Sequence, residues 1–369
     1  MITWLLTVTS ALMLATAVFA AQALPSSCQP ITGSNVNQLA PVAEITLDGI
    51  DGVIWPTDSS VIGLDGYDDF ILLNASDLTE FNRISPEDFL FGTSFRPGHT
   101  EIALVSDSVQ LIDYTTNEVH VLAAQTDAPF DYFAGAVFNS DGSRLAVYQA
   151  VSIGAGAEST PLQIFDAQTG EVLSDIDLPI DFYDFYFVGE DQIIAFGFEN
   201  IYLIDLNSES VVAQSAMPAS FLVVGTVANP VQNKVVYIAT DYTVLQTHLA
   251  AIVTSTLEQI GPIRSFSYNM TDPYDNFELF NNTARRAAIS AGGDILAVTN
   301  GPAAELWRLG EDGSVTSRTW RVLDGQASNV LDVSFSPNGL FLTTLVRPNL
   351  DREYRGYAPA TITFWGVCA

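Results

Sequence analysis

Positive charge is what this sequence most lacks. Its 369 residues hold 13 Lys and Arg against 43 Asp and Glu, a formal net charge of −30, and Lys234 is the only lysine. Such a surface repels phosphate backbones and anionic lipid heads, so nucleic acid is excluded as a partner. The charged fraction is 15 %, below the roughly 25 % of an average domain. Hydrophobic residues make up 48 %, the opposite of the pattern that produces disorder. Solubility in a salty or acidic medium accounts for the acidity; a cationic partner or bound calcium is the sharper alternative.

Long apolar runs are missing beyond the first two dozen residues. Ile2 to Ala20 carries no charge, and both Val18-Phe19-Ala20 and Ala21-Gln22-Ala23 offer small-x-small cleavage sites. Residues 1–23 are therefore expected to be a signal peptide, with an uncleaved anchor as the alternative. No later stretch reaches the ~18 apolar residues of a membrane span. A secreted or periplasmic protein follows, most simply a monomer. Two cysteines, Cys28 and Cys368, stand near opposite ends of the chain and form a candidate pair in an oxidising compartment.

What is present is a repeat. Val333-Ser334-Phe335-Ser336-Pro337-Asn338-Gly339 followed by Leu340-Phe341-Leu342 reads as a strand, a tight turn and a second strand. The same arrangement recurs at Ala136–Gly142 and Thr93–Gly98, with weaker copies at Val53, Phe185, Gly225 and Ala287. A third strand follows each copy, ending at Leu73-Asn74, Ile112-Asp113, Phe165-Asp166, Ile204-Asp205, Thr247-His248, Trp307-Arg308 and Trp365-Gly366. A turn and a fourth strand complete the unit, as in Ala167–Leu173. Four short strands about every 40 residues describe a propeller blade.

These units resemble WD40-like repeats of a degenerate, bacterial type. The resemblance covers roughly residues 42–369 and implies an all-β fold: one seven-bladed β-propeller of four-stranded blades. No copy keeps a Trp-Asp pair or a Gly-His pair. The last unit ends at its third strand, Thr361–Trp365. The alternating segment Val42–Leu47, after a lead-in at 24–41, is expected to supply the missing outer strand. That pairing would bring Cys28 and Cys368 to one face.

The same topology assigns faces. Tight Pro-Asn-Gly-type turns fall on one side, here called the bottom. Three insertions, 149–160, 261–284 and 347–360, project from the top, where binding is expected. The 261–284 segment holds Phe266, Tyr268, Tyr274, Phe277 and Phe280, with Arg285 and Arg286 just beyond; such aromatics suit a sugar face or a protein. The 347–360 segment holds Arg347, Asp351, Arg352, Glu353, Tyr354, Arg355 and Tyr357, and its arginines could grip a carboxylate or sulfate.

Catalytic signatures are scarce. His99, His120 and His248 fall in three different repeats without metal-ligand spacing. Neither G-x-S-x-G nor H-E-x-x-H occurs. The Asp-rich stretches 48–52, 65–69 and 175–177 do not fit an EF-hand, so turn chemistry is expected there rather than calcium. Asn74, Asn269 and Asn281 head N-x-S/T triplets. The expected function is a non-catalytic exported scaffold binding a protein or saccharide on its top face, with no metal or cofactor. The alternatives are a hydrolase or lyase using carboxylates at the channel mouth, and a structural part of an envelope complex.

Overall fold

The computed structural model describes residues 23–66, 69–85, 92–124, 131–151, 160–178, 182, 184–197, 200–218, 221–229, 231–241, 244, 246–267, 287–323, 329–347 and 359–368. They form seven antiparallel sheets arranged as a β-propeller. The innermost strands are Ile50–Ile54, Gly92–Phe95, Asp131–Phe138, Asp184–Val188, Phe221–Ala228, Ala287–Ile289 and Val330–Phe335. Each begins or contains one of the seven repeat starts read in the sequence.

Alternation explains why such strands are apolar on both faces. In blade 1, Ile62 and Leu64 pack toward blade 7, whereas Val61 packs toward blade 2. A blade therefore buries both sides, and Ile295–Asn300 is buried at every residue. The core is a set of layers between blades rather than one central mass. One layer joins Phe70 and Leu72 of blade 1 to Ile102 and Leu104 of blade 2. Another closes the ring, setting Leu345, Ile362 and Phe364 of blade 7 against Ile62, Leu64 and Ile71 of blade 1. Each fully buried Leu, Ile or Phe contributes on the order of 1.5–3 kcal/mol, so apolar burial drives closure as it drives the other interfaces.

The N-terminal strand completes blade 7. It runs Ala40–Asp48 and pairs antiparallel with Pro359–Cys368, matching Ala43 to Phe364, Ile45 to Ile362 and Leu47 to Ala360. Ahead of it, Cys28 and Gln29 pair with Cys368 and Val367, and a Cys28–Cys368 disulfide joins residues 340 apart in sequence. Ile31, Val36 and Leu39 of the lead-in are buried against blades 6 and 7. Among the described residues no helix is long and apolar enough to cross a membrane.

Blade 5 needs correction at two boundaries, and strands Arg144–Val151, Thr160–Asp166 and Pro359–Cys368 also take in the ends of the other two expected insertions. The third strand of blade 5 is Gln246–Val253 and ends at Ile252-Val253, not at Thr247-His248. The buried run Leu249–Ile252 carries it on to the turn that Leu257 closes with a left-handed φ of 58°. The outer strand of the same blade, Gln259–Ser267, takes in residues assigned to an insertion. Phe266 belongs to that strand and packs on Trp307 with ring centroids 5.7 Å apart.

Candidate binding site

The bottom face is built from closed turns. Asp77 accepts from Thr79, Asp141 from Ser143, Asp166 from Gln168 and Thr169, Asp205 from Ser208, and Asp312 from Ser314. These bonds favour the ionised form and hold all five carboxyls below the usual range. Desolvation pulls Asp113 upward, but bonds from Thr115, Thr100 and Thr116 outweigh it and bring the carboxyl down to about 2. Part of the acidity is thus turn chemistry. Asp51 and Asp69 of the Asp-rich stretches hold Arg347 and Arg83.

The scarce basic residues stitch neighbouring blades together. Arg96, only 7 % exposed, links blade 2 to the Gly142 and Ala167 carbonyls of blade 3. Arg144 reaches the Glu190 carbonyl of blade 4 at 2.8 Å. Lys234 donates to the Asp312 carbonyl, and Arg264 to the Val315 carbonyl, both from blade 5 to blade 6. Arg347 donates from Nη2 to the Ile50 carbonyl and to Asp51 at 2.5 Å each, bridging blades 7 and 1. Of the residues singled out for the top face, Arg347 is therefore committed at one nitrogen to ring closure. Tyr268, Tyr274, Phe277, Arg285, Arg352, Tyr354, Arg355 and Tyr357 lie outside the described residues.

Inner-strand residues of blades 1, 4, 5, 6 and 7 line an open cavity of about 510 Å³. Its lining residues include Val53, Ile54, Val227, Ala288, Val333 and Phe335, together with the polar residues Asp184, Tyr186, Thr226, Asp332 and Ser334. Asp184 and Asp332 occupy equivalent places in their blades, opposite Phe196 and Leu345 of the second strands. The same place holds Gly52, Gly92, Gly135 and Gly225 in blades 1, 2, 3 and 5. Each aspartate reaches to the next blade: Asp332 Oδ2 accepts from the Val53 amide at 2.7 Å, and Asp184 Oδ2 accepts from the Thr226 hydroxyl. Val53 and Thr226 are themselves equivalent, lying opposite Leu64 and Tyr237.

Asp184 is half-buried and is one of the residues that line the cavity. Desolvation raises its pKa; bonds from Thr226 and the Phe185 amide oppose this, and the carboxyl ends up pushed to about 6. Tyr186 donates to the Thr226 carbonyl at 2.9 Å, and burial next to Asp184 raises its phenol well above the usual range.

One further polar group stands out. His248, 7 % exposed, contacts Ser265 Oγ through Nδ1 at 2.7 Å and stacks on Phe221 with centroids 4.3 Å apart. Its Nε2 is buried with no hydrogen-bond partner among the described residues. Desolvation lowers its pKa, partly countered by Asp241. A serine–histidine relay needs a carboxylate on the second ring nitrogen, so this pair lacks its orienting group. Among the described residues no three His, Cys, Asp or Glu side chains gather as metal ligands.

No protein-family model matches this chain, and no curated protein is significantly similar to it.

Proposed function

We propose that this chain is an exported, non-catalytic propeller of WD40-like repeats that recognises a protein or a saccharide through its top-face loops. Residues 1–23 would be the signal peptide and 24–41 the lead-in, leaving the ring secreted or periplasmic. The Cys28–Cys368 disulfide is consistent with an oxidising compartment.

One observation carries the reading: the two faces are built differently. Bottom connections are short turns closed by their own side chains. Top connections include the long spans between Val151 and Thr160, Ser267 and Ala287, and Val346 and Pro359. A rigid ring that varies only the connections of one face concentrates recognition there. The aromatic and arginine residues of those spans, Tyr268, Tyr274, Phe277, Arg285, Arg352, Tyr354, Arg355 and Tyr357, are the chemistry expected of such a surface.

A glycan array probed with the purified protein tests this reading, followed by the Arg352→Ala/Arg355→Ala and Tyr268→Ala/Tyr274→Ala pairs. At least one pair should weaken the strongest interaction by tenfold or more. Undiminished binding by both would overturn the assignment to these loops.

A further inference from the structure

Ring closure does not require the carboxyl of Asp184. Four other blades carry glycine at the equivalent place. A desolvated carboxylate is costly unless paired with a cation. Yet the groups bonded to Asp184 are neutral: the Thr226 hydroxyl and the Phe185 amide, one on each oxygen, and the Tyr186 phenol. Each oxygen keeps lone-pair capacity. Among the described residues lining the cavity, none is Lys, Arg or His.

The surroundings select the sign of a ligand. A channel in a protein of formal charge −30 concentrates cations and repels anions. Val227, Ala288 and Val333 line the same space, whose volume of about 510 Å³ accommodates a small organic molecule. The donor set for an inorganic ion is thin, since no three ligating side chains gather among the described residues.

We propose that this cavity binds an organic cation, a ligand with a protonated amine that pairs with the Asp184 carboxylate while its apolar body rests against Val227, Ala288 and Val333. The residues invoked here are distinct from those proposed for the top-face loops. Ligand binding would supply a counter-charge that no described lining residue provides at this position.

The test is calorimetric titration of the disulfide-bonded protein with cyclohexylammonium chloride, with glucose, succinate and calcium chloride as neutral, anionic and inorganic probes at matched ionic strength. Saturable one-site binding of the amine is expected at pH 7.5. Affinity should fall about tenfold at pH 5, because a carboxyl titrating near 6 is then mostly protonated. Asp184→Asn should abolish the saturable phase. Asp184→Gly, which restores the residue found in four other blades, should do the same in a protein whose thermal transition stays cooperative. Thr226→Val, which removes a bond that favours the ionised form, should move the pH midpoint upward. Unchanged amine affinity in both Asp184 variants would overturn the proposal, leaving only diffuse surface charge. Tighter succinate binding, or calcium binding without amine binding, would overturn it as well. The Arg352→Ala/Arg355→Ala protein should bind the amine normally, which separates this site from the loop reading.

Discussion

Arg96 of blade 2 donates from Nε to the carbonyl of Gly142 in blade 3 at 2.7 Å. The same guanidinium reaches the Ala167 carbonyl at 3.0 Å and Glu101 at 2.6 Å. A buried arginine is costly unless its charge is matched and hydrogen-bonded; here Glu101 matches the charge, and Nε and Nη1 are bonded. The bond ties the bottom turns of two blades that otherwise touch through apolar layers. Arg96→Met should therefore cost about 3 kcal/mol, since it strands two carbonyls and a carboxylate. Differential scanning calorimetry would register this as a lower transition temperature, and a shift indistinguishable from zero would refute the bridging role.

Gly142 carries the other half of that relationship. Its φ is +73°, and a Cβ there would stand 2.8 Å from the Pro97 carbonyl oxygen of the preceding blade. Gly98 has the same φ but nothing within 4 Å of its Cβ position. Gly142→Ala is expected to cost about 2–3 kcal/mol, and Gly98→Ala about 1 kcal/mol. Equal losses in denaturant titrations would mean that the approach of blade 2 to blade 3 sets no limit on residue 142.

Closing the ring covalently restricts the unfolded chain. Replacing Cys28 and Cys368 by serine should cost about 2–5 kcal/mol, with a chain-entropy ceiling of about 6 kcal/mol for so large a loop. A thiol assay on the denatured, unreduced protein should find no free thiol, matching the absence of free cysteines. Two titratable thiols would contradict the closure.

The two kinds of aspartate pull stability in opposite directions with pH. Asp184 has a folded pKa of about 6, above its ordinary 3.8. Its contribution is full below about pH 4 and is lost as pH rises through 6, a change on the order of 2–3 kcal/mol. Asp113, brought down to about 2, behaves in reverse: its contribution is present above about pH 4 and lost as pH falls toward 2. Asp77, Asp141, Asp166, Asp205 and Asp312 share that direction. Thermal stability should therefore peak near pH 4–5. Asp184→Asn should flatten the slope between pH 4 and 6; a slope that persists in this variant would assign it to another group.

The seven inner strands were legible because the turn after each is a local signal, written in neighbours such as Ser336-Pro337-Asn338-Gly339. The closing strand was legible because Val42–Leu47 alternates and belongs to no complete unit. Blade 5 misled at Thr247-His248, where a polar pair inside a strand mimics a strand end. The equivalence of Asp184, Asp332 and four glycines was hidden for a different reason. It emerges only from cross-strand register, and irregularities at Gly52, Gly135, Gly225 and Asp332 shift the count by one. The shorter blade 4 turn between Val188 and Gln192 shifts it again. Arg96 stood in plain view within its repeat motif, but its acceptors are 46 and 71 residues further on.

The Cys28–Cys368 crosslink also decides how this molecule would respond to being stretched. Tension applied from one terminus to the other would pass through two sulfur atoms and bypass every blade, because the 339 residues between them lie inside a covalent circle. In an optical trap, the oxidised molecule should lengthen by only the short tails outside that circle. Adding a reductant during the pull should release the blades to rip, so the ring's mechanical resistance would be set by redox conditions.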